Sequence, residues 1–152
     1  MTTIHDSGVR DVSFGDDVTV VHPVNLYECT IGNHSFIGPF VEIQTGVTIG
    51  KYSKVQSHSF ICEKVTIGDN VFIGHGVMFI NDRFSTGKPA GGEEDLWEST
   101  TIHDNVSIGS NATILPVNIC NDVVIGAGSV VTKSINESGI YAGNPAKLIR
   151  KK

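Results

Sequence analysis

Hydrophobic residues return at every sixth position through much of this chain. In the eight consecutive hexads from Ile31 to Met78, the first position is always Ile or Val, and the fifth is always Ser or Val. The same period covers residues 14–25, 102–113 and 119–130, which gives fourteen hexads in all. The repeat is therefore the main feature of the chain.

A period of six fits neither a helix nor the simple alternation of a strand. It predicts a short strand followed by a turn, with one β-branched side chain pointing inward in each unit. Polar residues and glycines at the bends, such as Asn33, Gly46 and Asn70, suit those turns. The repeat predicts an all-β solenoid that forms one domain over residues 1–152.

The hexads resemble those of the hexapeptide-repeat acyltransferases. That resemblance implies a left-handed parallel β-helix with three hexads in each triangular coil. Residues eighteen apart then stack in ladders, so Ile31, Ile49 and Ile67 should form one interior ladder.

Large apolar side chains occupy some sixth positions, which should face outward. Phe36 and Phe72 fall on one face of the prism, and Phe60 and Met78 fall on another. Exposed apolar ladders are typical of interfaces. Because the hexapeptide acyltransferases are trimers, the resemblance implies that these faces join copies of the chain in a homotrimer.

The repeat stops after Met78, and residues 81–100 contain no hexad. A loop of that length inside a compact domain is often functional. Trp97 needs an apolar place to pack, which favours an ordered loop over a disordered insertion. The resemblance implies that the loop closes over an active site at a subunit boundary. We expect a short turn or helix over 139–152 at the C-terminus.

Residues beside this break are candidates for catalysis. His58 and His75 fall on the same corner of neighbouring coils, whose strands lie about 4.8 Å apart. Asn81 lies at the next corner, where the loop begins. A histidine with a pKa of about 6.5 can remove a proton from an amine at pH 7. Backbone N–H groups around Gly74 and Gly76 could hold an oxyanion.

Longer strings narrow the resemblance to the sugar-nucleotide amine N-acetyltransferases. The matching strings are VQSHSF, FIGHGVMFIND, ATILPVNICNDVVIGAGSVVTKSI and YAGNPAKLIRKK. Members of this group acetylate the 3-amino group of UDP- or dTDP-linked sugars used in surface polysaccharides such as lipopolysaccharide. The resemblance implies acetyl-CoA as co-substrate and a nucleotide sugar as acceptor.

The same resemblance implies roles for individual residues. Asn81 matches the residue at the junction of amino sugar and thioester, and His75 and His58 are further catalytic candidates. Substrate binding is expected at Asp82, Arg83 and Trp97. The CoA channel is expected to involve Gly109, Ala127, Pro145, Lys147 and Arg150. Some relatives have Asn or Pro at positions 58 and 75, and a partly neutral amine could attack unaided, so the identity of any base stays open.

Three other functions fit parts of the sequence. O-acetylation of a sugar or serine hydroxyl on the same fold would require a positioned histidine, because a hydroxyl is a weaker nucleophile than an amine. A γ-type carbonic anhydrase resembles a His-x4-His pair with a distant third histidine, and no such pair occurs among the six histidines. A non-catalytic solenoid would have little reason for the long loop and the GNPAK ending.

Charge and cysteine content restrict the partners. A net charge of −5 argues against general nucleic-acid binding, although five of the eleven Lys and Arg residues lie in the last twenty positions. Cys29, Cys62 and Cys120 are odd in number and lack ligand spacing, so we expect neither disulfides nor a metal. The sequence has no signal-peptide pattern and no apolar run of about 18 residues, so we expect a cytoplasmic protein.

Overall fold

Each hexad contributes one short strand in the computed structural model, which describes residues 1–152. In chain order the strands are β1 (Val9–Arg10), β2 (Ser13–Phe14), β3 (Thr19–Val20), β4 (Asn25–Tyr27), β5 (Thr30–Ile31), β6 (Phe36–Ile37), β7 (Glu42–Ile43), β8 (Thr48–Ile49), β9 (Lys54–Val55), β10 (Phe60–Ile61), β11 (Val65–Ile67), β12 (Phe72–Ile73), β13 (Met78–Phe79), β14 (Thr100–Ile102), β15 (Ser107–Ile108), β16 (Thr113–Ile114), β17 (Asn118–Ile119), β18 (Val123–Ile125), β19 (Val130–Val131), β20 (Gly139–Ala142) and β21 (Lys147–Lys151).

The strands form three sheets, one for each side of a triangular prism. The first sheet runs β1-β4-β7-β10-β13-β16-β19, the second β2-β5-β8-β11-β14-β17, and the third β3-β6-β9-β12-β15-β18-β20-β21. Each strand pairs in parallel with the equivalent strand one coil away, except for the antiparallel β20–β21 pair. The fold is the predicted left-handed parallel β-helix, with about seven coils.

The predicted interior ladders are confirmed by the strand register. Ile31 pairs with Ile49, which pairs with Ile67, and all three side chains are buried. Fifth-position serines are buried as well, and their hydroxyls hydrogen-bond to backbone groups of the next coil. The Ser53 hydroxyl donates to the carbonyl of Gly68 at 2.9 Å and accepts from the N–H of Val71 at 3.0 Å. This pairing explains why the position takes either Ser or Val.

Fourth-position residues make the corners by adopting a left-handed backbone. The φ angles are 77° at Gly46, 64° at His58 and 54° at Asn70. Glycine and asparagine tolerate this conformation best, which accounts for the Gly and Asn that the sequence places there.

The three outer faces differ in polarity. Sixth-position residues of the second sheet are all polar, namely Ser13, Thr30, Thr48, Thr66, Thr101 and Asn118. The first and third sheets carry the apolar side chains that the sequence placed outside. Phe72 is 40% exposed and Met78 is 42% exposed, whereas Phe36 and Phe60 are half-buried.

The C-terminal segment corrects one part of the sequence interpretation. Over 139–152 the turn is present, but its flanks are the antiparallel strands β20 and β21 rather than a helix. Gly143, with φ of 103°, and Pro145 form the bend, and neither residue suits a helix. β20 extends the third sheet by one strand, so its backbone hydrogen bonds are met by β18.

Residues 81–100 form an ordered loop that contains the one helical element, a 3-10 turn over Glu94–Leu96. With only three helical residues, the structure has no helix that could cross a membrane. The repeat resumes at β14, where Ile102 stacks on Ile67 of the preceding coil.

Candidate functional site

A pocket of about 710 Å³ lies where the loop leaves the coil. Residues that follow four successive strands of the first sheet line it, and they are Gln44, Cys62, Ile80 and Leu115. Phe84 and Trp97 of the loop also line it. The pocket thus has a mainly apolar lining, and its remaining members include Glu63 and Asn81.

Asn81 lies at the base of the loop and is held on two sides. Its backbone carbonyl accepts a hydrogen bond from the N–H of Glu98 at 2.8 Å, which closes the base. Its side-chain Nδ2 donates to the carbonyl of Glu63 at 3.2 Å. Its Oδ1 has no hydrogen-bond partner in the chain, so it is an available acceptor in the pocket.

Asp82 lines the pocket, but its carboxylate is already engaged. One oxygen accepts the N–H of Phe84 at 2.8 Å, and the other accepts the N–H of Ala90 at 2.7 Å. The side chain therefore folds the first half of the loop, and substrate binding by Asp82 stays a prediction.

Arg83 is also engaged within the chain. Its Nε lies 3.1 Å from a carboxylate oxygen of Glu98, and its guanidinium donates to the carbonyl of Pro116. These contacts join the two ends of the loop to the next coil. Substrate binding by Arg83 likewise stays a prediction, and it would require these contacts to be shared.

Trp97 is half-buried and forms one wall of the pocket, as the need for a packing site predicted. Its position depends on Lys64, which the sequence analysis did not identify. Lys64 Nζ donates to the carbonyl of Glu94 at 2.7 Å and to that of Trp97 at 3.1 Å. No sequence signal marks these contacts, because they join residues thirty or more positions apart.

Burial sets the chemistry of the pocket thiol. Burial, with a smaller contribution from the nearby Glu63 carboxylate, raises the pKa of Cys62 to about 12. The thiol is therefore neutral near pH 7, and since the thiolate is the nucleophilic form, Cys62 is not a nucleophile there. No group of three or more His, Cys, Asp or Glu side chains is placed to hold a metal ion.

The two candidate histidines lie on another edge of the first sheet, at its corner with the third sheet. His75 Nδ1 is 2.9 Å from the hydroxyl of Ser57, and the ring of His58 stacks on Phe40 with centroids 4.8 Å apart. The strand Met78–Phe79 separates this corner from Asn81 within the same chain. One copy of the chain therefore does not bring the histidines and Asn81 together.

The backbone N–H groups expected to hold an oxyanion already donate hydrogen bonds within the chain. The N–H of Gly74 donates to Ile108, and that of Gly76 donates to Ser57, in the regular bonding between coils. The proposal that these groups hold an oxyanion is therefore wrong for this conformation of the chain.

The residues expected to line the CoA channel gather at the C-terminal end, next to the His75 corner. His75 is joined to Ser110 of the next coil by its backbone N–H. Gly109 packs so closely on Ala127 that an added Cβ would lie 2.5 Å from the Ala127 nitrogen. The C-terminal hairpin follows, with exposed Pro145, Lys147 and Arg150. These five expected residues lie on neighbouring coils, and their contact with CoA stays a prediction.

Two repeat families match the chain. Residues 28–63 match "Bacterial transferase hexapeptide (six repeats)", and residues 64–78 with 99–133 match "Hexapeptide repeat of succinyl-transferase". The unmatched gap contains the loop.

The chain matches parts of two larger curated relatives. The chain is 30% identical over 151 residues to the bifunctional protein GlmU of Synechococcus sp. (strain RCC307), covering 97% of the chain and 31% of that protein. It is 46% identical over 94 residues to a Saccharomyces cerevisiae protein whose name describes an acetyltransferase, covering 58% of the chain and 46% of that protein. The chain thus spans less than half the length of these relatives.

Solved structures share the whole fold. AntD, an N-acyltransferase from Bacillus cereus solved as a mutant with dTDP and coenzyme A, superposes with a TM-score of 0.82 at 24% identity, covering 92% of this chain and 83% of AntD. A hexapeptide-repeat acetyltransferase of Vibrio cholerae O1 biovar eltor, solved with acetyl-coenzyme A, superposes with a TM-score of 0.70 at 25% identity. The match covers 80% of this chain and 69% of that protein. With its repeat, its coils and these matches, the chain belongs to the hexapeptide-repeat transferase family.

Proposed function

We propose that the protein is an N-acyltransferase that moves the acetyl group of acetyl-CoA to the amino group of a dTDP- or UDP-linked 3-amino sugar. The observation that carries this proposal is the unused Oδ1 of Asn81 in the pocket at the base of the loop. An amine donates hydrogen bonds, and Oδ1 is an acceptor that would hold and aim it. The likeness to AntD, whose structure holds dTDP and coenzyme A, supports both substrates.

A polar chain on the first sheet supports an extended acceptor. Gln44 in the main pocket donates to a carboxylate oxygen of Glu42 at 3.0 Å, and Asn25 donates to the other oxygen at 3.0 Å. Asn25 and Glu42 line a second pocket of about 350 Å³ together with Phe40. A sugar in the main pocket could therefore extend its nucleotide along the sheet toward the second pocket.

The transfer needs a neutral amine, a thioester carbonyl and a proton for the leaving sulfur. The amine nitrogen attacks the carbonyl carbon, the carbon–sulfur bond breaks, and the nitrogen loses a proton as the sulfur gains one. Asn81 would orient the nitrogen for this attack, and such positioning contributes much of the rate in acyl transfer. We place the reaction in the cytoplasm, as a step toward surface polysaccharide.

We also propose a homotrimer, because the two halves of the site lie on different edges of one chain. In a threefold assembly, unlike patches of neighbouring copies meet. The His75 corner and the CoA-binding end of one copy would then face the Asn81 pocket of the next. The apolar outer residues Phe72 and Met78 support contact through the first and third sheets.

The assembly is tested by light scattering at micromolar concentration. We expect a mass three times the 16.3 kDa of one chain. Met78→Glu and Phe72→Glu should reduce that mass, whereas Thr66→Glu on the polar second sheet should not. A wild-type mass of one chain would exclude the trimer.

The activity is tested by incubating the protein with acetyl-CoA and matched acceptors while free thiol is measured. The acceptors are dTDP- and UDP-linked 3-amino sugars and the corresponding sugars with a 3-hydroxyl. We expect thiol release with an amino sugar only. Release with hydroxyl sugars alone would identify an O-acetyltransferase, and release with neither would favour a non-catalytic role.

The acyl group is tested in the same assay. AntD has also been solved with 3-hydroxybutyryl-CoA, so this donor belongs beside acetyl-CoA. We expect acetyl-CoA to give the higher kcat/KM.

A further inference from the structure

Most polar side chains of the main pocket are occupied within the chain. Both oxygens of Asp82 accept backbone N–H groups, and Arg83 is bound to Glu98 and Pro116. Gln44 uses its nitrogen on Glu42 and its oxygen on the N–H of Glu63. These contacts form the walls of the pocket and occupy part of the hydrogen-bonding capacity of these side chains.

Glu63 differs from them. Its N–H and its carbonyl are both bonded, to Gln44 at 3.3 Å and to Asn81 at 3.2 Å, so its backbone is fixed on both sides. Its carboxylate makes no hydrogen bond and no ion pair, although the residue is half-buried and lines the pocket. The carboxylate is therefore accessible and free to bind a ligand in the pocket.

The carboxylate acts on its surroundings as a charge. It raises the pKa of Cys62, after the larger effect of burial, and it also raises the pKa of Tyr27, after burial and Glu42. No free cationic side chain lines the pocket, since Arg83 is its only Lys or Arg and is already paired. The pocket therefore has a negative charge that a cationic ligand would neutralise.

We propose that Glu63 is the substrate-recognition residue that selects an amine, by binding its protonated form beside the free Oδ1 of Asn81. The bound ammonium then gives one proton to water, and the neutral nitrogen attacks the thioester. The inference rests on the proposed function and specifies how the site distinguishes an amino sugar from its hydroxyl counterpart. Asn81 alone would accept a hydrogen bond from either group. A charge-assisted hydrogen bond favours the ammonium by about 10- to 100-fold.

This role also fits the acetylated product. The product amide carries no charge, so it loses the charge-assisted part of its contact with Glu63 while the remainder of the sugar is unchanged. We therefore expect the product to bind more weakly than the substrate, which would help its release.

The chain carries its own reporter for testing this proposal. Trp97 is the only tryptophan, and it lines the pocket. Its fluorescence can be titrated at pH 7 with a dTDP-linked 3-amino sugar and with the same sugar carrying a 3-hydroxyl. We expect the wild type to bind the amino sugar at least 10-fold more tightly.

Glu63→Gln removes the charge and keeps the shape, so we expect it to abolish this preference while the Kd of the hydroxyl sugar and the KM of acetyl-CoA stay unchanged. Glu63→Asp should restore part of the preference. Glu93→Gln is the matched control, because Glu93 is an exposed loop carboxylate without a side-chain capping bond. Unchanged thermal unfolding of Glu63→Gln is expected, since the carboxylate has no partner to lose.

The outcomes separate the inference from the function. A Glu63→Gln variant that keeps both the amine preference and wild-type turnover of amino sugars would overturn the role of Glu63 and leave the N-acyltransferase intact. A wild type that neither binds nor acylates amino sugars would overturn both.

Discussion

The side-chain amide of Asn81 donates a hydrogen bond to the backbone carbonyl of Glu63, one coil below, at 3.2 Å. This bond fixes the amide so that its nitrogen faces the coil and its oxygen is left for a ligand. The hexad before the loop ends at Met78, and the loop begins at Asn81.

Removing the Asn81 side chain should therefore affect catalysis more than folding. We expect Asn81→Ala to lower kcat/KM by about 10- to 1000-fold, which corresponds to about 1.4–4 kcal/mol. Steady-state kinetics with an amino sugar would measure it, and circular dichroism would check the fold. Wild-type activity in Asn81→Ala would show that Asn81 has no catalytic role and only marks the start of the loop.

The two histidines should differ in their effect. His75 is fixed by the Ser57 hydroxyl at 2.9 Å and adjoins the expected CoA end, whereas His58 stacks on Phe40 one coil further away. We expect His75→Ala to lower kcat at least 100-fold and to remove the acidic limb of the pH profile, because a general base would be lost. His58→Ala should have a smaller effect.

Retention of most of kcat and of the same acidic limb in both histidine variants would have a different meaning. The amine would then lose its proton without a side-chain base, and Asn81 with Glu63 would be the main polar groups of the site.

Lys64 should control the wall of the pocket. Its ammonium holds the carbonyls of Glu94 and Trp97, so Lys64→Met should release the 3-10 turn. We expect the KM for the sugar to rise by about 3- to 10-fold, kcat to change less, and Trp97 emission to shift to longer wavelength as water reaches the ring. Lys51→Met is the control, because the Lys51 side chain makes no such bond. Equal effects of the two variants would argue against a positioning role.

The basic hairpin should affect the acyl donor and not the acceptor. Lys147 and Arg150 are exposed on β21, where they can meet CoA phosphates. We expect Lys147→Ala with Arg150→Ala to raise the KM for acetyl-CoA and leave the KM for the sugar unchanged. In the wild type the KM for acetyl-CoA should rise with salt, because exposed phosphate contacts are screened. Equal changes for both substrates would contradict this placement.

Alkaline pH should destabilise the fold through its buried thiols. Burial raises the pKa of Cys29 from 9.0 to about 11 and that of Cys62 from 9.0 to about 12. Above pH 9 the folded chain thus binds more protons than the unfolded chain, so this stabilisation is complete below pH 9 and is lost as pH rises toward 11–12.

Between pH 9 and 11 the free energy of unfolding should fall by at most about 1.4 kcal/mol per pH unit for each thiol. Guanidinium titrations at several pH values would measure this slope. The double variant Cys29→Ala with Cys62→Ala should have a shallower slope, even if its overall stability is lower. The same slope in both proteins would contradict the assignment to these thiols.

The loop contacts could not be read from the sequence. The sequence predicts that Asp82 and Arg83 bind substrate, and only the structure shows that they also bond to Ala90, Glu98 and Pro116. Which polar group is occupied and which is free depends on an irregular backbone path, and no period describes such a path. For the same reason, the sequence could not predict the contacts of Lys64 or the unpaired carboxylate of Glu63.

By itself the sequence determined the coil, because contacts between coils that do not span the loop join residues at a nearly constant separation of about eighteen. Ile31, Ile49 and Ile67 stack as the period requires, and the loop starts at Asn81 where the period ends. Only the tertiary structure decided that the C-terminal segment is a hairpin and which polar groups at the base of the loop are bonded within the chain. Both depend on where the chain leaves or closes the coil, and there the hexad period no longer dictates which groups meet.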